Sequence, residues 1–183
     1  MSFNNFVNTI RNYEFKYIQI DINSEFCRSK CGILRAIQIL FGLICFLTIL
    51  ITCYNNYDPY SGSYMGFVGG KAETAFLLIS WSSLMWSSIT MLCYIFSIHS
   101  ANNIPKTPFE ITLNSFSFSL YLLISVILLI EVSTRNAGDI NGLVEPGFVG
   151  KIFASIFGLI NTIIYGFSIF YFYKLYKTLL DNI

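Results

Sequence analysis

Four stretches of this chain are too long and too apolar to lie on the surface of a water-soluble domain. They run over about residues 33–54, 75–98, 111–132 and 151–173. Each holds about 22 residues, which at 1.5 Å per residue reaches about 33 Å, the depth of a bilayer's hydrocarbon core. Backbone amides in lipid have no water to bond, so such segments fold as helices that satisfy their own polar groups. Composition agrees: 11% of the 183 residues are charged, against about 25% in a typical soluble domain. The expected fold is an all-α membrane protein, a bundle of four transmembrane helices with short loops.

Orientation follows from the Lys and Arg near the span ends. Arg11, Lys16, Arg28, Lys30, Arg35, Lys106, Lys174 and Lys177 fall on one side, and only Lys71, Arg135 and Lys151 on the other. Both termini are therefore expected in the cytosol. The first thirty residues have no apolar core long enough for a cleavable signal, so the first span is expected to act as its own insertion signal. A net charge of +1 gives no basis for nucleic-acid binding. No Asn-x-Ser/Thr sequon occurs, so N-glycosylation is not expected.

Three regions result: a cytosolic N-terminal segment (1–31), a four-span domain (32–177) and a short cytosolic tail (178–183). In the first, Phe3, Phe6, Val7, Ile10, Tyr13 and Tyr17 follow a helical spacing, which fits either an amphipathic helix on the membrane surface or a disordered arm with scattered aromatics. The loops after the first and third spans end in similar phrases, "GFVGGKAE" and "GFVGKIFA", either an internal repeat or coincidence.

The fourth span keeps one line of positions bare: Gly150, Ala154, Gly158, Thr162 and Gly166. Lipid tails are as apolar as leucine, so helices in a bilayer associate by close packing, which small residues permit. Positions four apart drift about 40° per step, so this line winds roughly 160° around its helix. It reads as a docking seam, either for another span of the chain or for a second protein. In the second span Ser80, Ser83 and Ser87 share one face, and Gln38 is the deepest strongly polar side chain of the first. These four are expected to bond within the bundle or, alternatively, to line a polar path. Trp81 and Trp86 read as packing wedges against the small-residue seams. Arg35, Glu131 and His99 sit near span ends, where side chains snorkel to water.

Enzyme signatures are missing from the sequence. One histidine cannot build a His-based metal site, and Cys27 and Cys31 lack further ligands at zinc spacing. The expectation is a non-enzyme without metal or cofactor. Cys27 and Cys31, beside a span and flanked by Arg28 and Lys30, are candidates for S-acylation.

The basic-flanked first span "SKCGILRAIQILFGLICFLTI" and the last span "FASIFGLINTIIYGFSIFYFYKLYK", with Phe153, Phe157, Gly158, Thr162 and Tyr165 before an aromatic and basic exit, resemble the MARVEL family of four-span proteins. That is the group of chemokine-like-factor, plasmolipin and myelin-and-lymphocyte-protein type. The resemblance implies organisation of membrane domains, membrane apposition or vesicle trafficking, at the plasma membrane or endomembrane vesicles. The implied partners are lipids and other transmembrane proteins or further copies of the chain. The alternative is a small transporter or channel subunit that uses the polar face of the second span.

Overall fold

A computed structural model describes residues 23–55, 66–67, 69–137, 145 and 147–181. The N-terminal stripe from Phe3 to Tyr17 lies outside the described residues. Four helices are long and apolar enough to cross a membrane: α2 (Lys30–Thr52), α3 (Lys71–Phe96), α5 (Pro108–Ala137) and α6 (Phe148–Leu180). A short α1 (Ser24–Arg28) precedes them, and α4 (Ile98–Asn103) with a 3-10 turn (Ile104–Lys106) joins α3 to α5. A two-residue antiparallel pairing of β1 (Tyr54–Asn55) with β2 (Gly66–Phe67) begins and ends the first loop. Gly147, by contrast, caps α6, so the two similar loop phrases do different structural jobs.

Four antiparallel spans place Asn23 and Asp181 on one face of the bundle, called here the terminal face; the C-terminal ends of α2 and α5 lie on the opposite face, called the loop face. Chain punctuation fits this arrangement. Ser29 accepts a bond from the Gly32 amide at 3.1 Å and caps α2. Asn23 caps α1 through its side chain, and its own amide bonds the Ile95 carbonyl at 2.8 Å, tying α1 to the end of α3. At the loop face, Gly147 begins α6 with φ 78°. A Cβ there would lie 2.9 Å from the Thr52 carbonyl oxygen. Left-handed backbone and close approach both call for glycine.

The helices outrun the expected spans, chiefly in α5 and α6. α6 has 33 residues, about 50 Å of helix, and continues to Leu180 through what the sequence suggested was tail. α3 starts at Lys71 and α5 at Pro108, several residues early. These extra turns carry Glu73, Glu110 and Arg135 into helix ends.

The bare line of α6 is used inside the bundle, and its winding decides its partners. At the loop face a Cβ on Gly150 would overlap the Thr52 hydroxyl of α2. Halfway along, a Cβ on Gly158 would overlap Ser125 Oγ of α5 and lie 2.9 Å from Phe76 of α3. Nearer the terminal face, Gly166 faces Phe118 of α5 at 3.4 Å. Ala154 and Thr162 between them are buried, Thr162 donating to the Gly158 carbonyl at 2.9 Å. One seam thus lets α6 approach three neighbours in turn. The tryptophans depart from expectation. Trp81 and Trp86 face outward and lie over Phe46 and Phe109 at ring separations of 5.1 and 6.1 Å. They cover neighbouring aromatics on the lipid side and do not wedge into the seams.

Candidate functional site

The bundle interior is polar over much of its length. Three polar layers, the last two separated by an apolar one, can be followed from the terminal face toward the loop face.

The first layer is a clasp in which all four spans take part. Arg35 of α2, only 2% exposed, pairs with fully buried Glu110 of α5. Its other terminal nitrogen donates to Gln38 Oε1 at 2.9 Å. Glu110 also accepts from the Tyr94 hydroxyl of α3, and from Asn114 Nδ2 at 3.0 Å. Gln38 Nε2 completes the ring by donating to Asn114 Oδ1 at 2.9 Å and to Ser168 Oγ of α6 at 2.8 Å. The Phe172 ring centroid lies 6.0 Å from the Arg35 guanidinium carbon. One cation faces one anion, and each charged group has several polar contacts. Such contacts offset part of the desolvation cost of a buried ion pair, while Arg35 Nε is left without a partner among the described residues.

The second layer lies at mid-bundle. Ser87 Oγ and the Tyr165 hydroxyl are 3.1 Å apart. Tyr165 stacks on Tyr121 with ring centroids 5.8 Å apart, and Phe76 meets Tyr121 edge-on. Ser80, Ser125 and Asn161 are fully buried here. Toward the loop face, Ile49, Phe76, Leu128, Val132 and Ala154 form a wholly buried apolar layer.

Beyond that layer lies a second ionic cluster. Arg135 of α5 pairs with Glu73 of α3, and Lys151 of α6 with Glu145 of the third loop. Cross-contacts join Lys151 to Glu73 at 3.3 Å and Arg135 to Glu145 at 3.4 Å. Arg135 is 35% exposed and Glu145 27%, so this cluster is wetter than the clasp.

The positions singled out in the sequence fall unevenly on this frame. Gln38 belongs to the clasp and Ser87 to the middle layer; Ser80 and Ser83 are also buried. Arg35 overturns its expectation: it does not snorkel to water but turns inward to Glu110. His99 is exposed beside Asn103, as its position suggested. Cys27 is exposed, whereas Cys31 lines a cleft of about 690 Å³ at the terminal face with Phe26, Lys106 and Tyr171. Sequence reasoning missed Glu110, Asn114 and Tyr94, and the whole loop-face cluster. A usable signal existed: Glu110 and Asn114 are four apart, Arg35 and Gln38 three apart, and each pair lies near the terminal-face end of its helix. Residues at those spacings share a helix face.

Among the described residues, no group of His, Cys, Asp or Glu is arranged to hold a metal ion. No family model, no curated protein and no solved structure matches the chain.

Proposed function

We propose that this chain is a non-enzymatic, multi-pass membrane protein of MARVEL type that organises membrane domains or vesicle traffic. In this reading the terminal face is cytosolic, in keeping with the eight Lys and Arg residues on that side. The observation that carries it is the disposition of polar side chains. Gln38, Ser80, Ser83 and Ser87 all turn into the bundle and are at most 6% exposed. What faces lipid is mainly aliphatic and aromatic: Leu40, Leu47, Leu78, Trp81, Leu123, Ile130, Ile163 and Phe167 among others, with Ser82 and Ser119 bonded back to their own helices. Such an exterior suits ligands that are lipids and other apolar helices. Cys27, exposed at the membrane-proximal turn, is the better placed of the two S-acylation candidates.

Proximity labelling from a tag after Ile183, in native cells, tests the reading. It predicts enrichment of coat, fusion and cargo proteins. A second reading, a transporter or channel subunit, draws on the polar interior that reaches from Glu110 to Ser125. Enrichment of one transporter or channel complex, followed by altered flux on deletion of the protein, would replace the first reading with the second.

A further inference from the structure

We propose that Ser80, Tyr121, Ser125 and Asn161 form a binding site for ordered water at the centre of the bundle. Five polar atoms carry the argument: Ser80 Oγ, Tyr121 Oη, Ser125 Oγ and both side-chain atoms of Asn161. All five are buried and none has a hydrogen-bond partner among the described residues. Buried polar groups in folded proteins are nearly always bonded, to protein or to ordered water. In hydrocarbon no bulk solvent is at hand to do this.

Three of the four residues meet at one hydroxyl. Ser80 and Asn161 lie beside the Tyr121 hydroxyl without reaching hydrogen-bond geometry. Ser125 is one helical turn from Tyr121 on the same face of α5. It lies against Gly158, which is one turn from Asn161 on α6. The site therefore draws on three spans.

Room is provided on the fourth side. Gly42 of α2 faces the Tyr121 hydroxyl, and a Cβ added there would meet nothing nearer than that oxygen at 3.7 Å. The missing methyl leaves space beside a hydroxyl that has no partner among the described residues. Hydroxyls donate and accept, and a carboxamide offers two donors and an acceptor. A water needs two to four such partners, and this set supplies them. The apolar layer of Ile49, Phe76 and Leu128 closes the site toward the loop face. Toward the terminal face it continues into Tyr165 and Ser87.

Radiolytic hydroxyl labelling of the full chain in lipid nanodiscs tests this, because radicals made from a bound water oxidise the side chain they touch. Two tyrosines in the same molecule calibrate the reading. Tyr173 is half-exposed; Tyr94 is as buried as Tyr121, but its hydroxyl is occupied by Glu110. The proposal expects Tyr121 to be labelled at a rate approaching that of Tyr173 and several-fold above that of Tyr94. Gly42→Ala, whose new methyl makes only ordinary contacts, should bring Tyr121 down to the Tyr94 level while leaving Tyr173 unchanged. Labelling of Tyr121 no faster than Tyr94 in the wild-type protein would overturn the proposal and mean that the four side chains pair directly and dry. Equal, fast labelling of both buried tyrosines would also overturn it, because water would then be entering the bundle generally.

Discussion

The two ionic clusters of this bundle use the same chemistry in opposite settings. At the terminal face, Arg35 and Glu110 sit at 2% exposure or less, ringed by Tyr94, Gln38, Asn114 and Ser168. At the loop face, Glu73, Arg135, Lys151 and Glu145 form a larger set, but Arg135 and Glu145 reach solvent. Coulomb attraction in a dry interior is several-fold stronger than at a wet surface, and so is the cost of losing one partner. Depth, more than the number of charges, therefore decides which cluster holds the helices in register. The clasp also engages all four spans, whereas the loop-face cluster joins α3, α5, α6 and the third loop.

That comparison can be broken most sharply at Glu110. Glu110→Ala leaves Arg35 charged and unpaired inside the bundle, and should cost about 3–5 kcal/mol. The expected readout is a lowered unfolding midpoint in detergent, and loss of folded protein on expression. A smaller effect is expected between the clusters. Gly158→Leu forces a branched side chain against Ser125 and Phe76 and should cost about 1–3 kcal/mol, the usual range for overpacking. At the loop face, Arg135→Gln should cost about 1–2 kcal/mol, less than Glu110→Ala, because a third of Arg135 is exposed and fully buried Glu73 keeps Lys151 at 3.3 Å. Added salt should lower the wild-type midpoint more through this cluster than through the clasp, and the Arg135→Gln variant should be less sensitive to it. Smallest of all, Gly166→Ala places a Cβ 3.4 Å from Phe118 and should stay within about 0.5 kcal/mol. Independent of stability, hydroxylamine-sensitive acyl exchange should vanish in Cys27→Ser and persist in Cys31→Ser.

The spans themselves were legible because a run of apolar residues long enough to cross a bilayer has few other folded fates. Gly158 and its line were legible as a close-packing surface, since bare positions four apart serve little else in such a helix. Which neighbour they meet was not, because partner choice depends on tilt and rotation rather than on the helix's own sequence. The clasp was half visible. Gln38 stood out as a deep polar residue, but Arg35 was taken for a snorkelling end residue and Glu110 for part of a loop. Both misreadings have one cause: a charge near the end of an apolar run reads as one that reaches water, although the helix continues past it and buries it against a partner 75 positions away. Glu73 was lost in the same way at the other face.

The central claim is that Arg35 and Glu110 stabilise the bundle as a coupled pair, and a double-mutant cycle tests it most directly. Arg35→Met, Glu110→Met and the double variant would be compared by thermal unfolding in one detergent. Each single change should cost about 3–5 kcal/mol by stranding the remaining charge, while the double variant should lose less than either, since an apolar pair needs no compensation. If the two single costs are small, or simply add in the double variant, the clasp does not hold the bundle together.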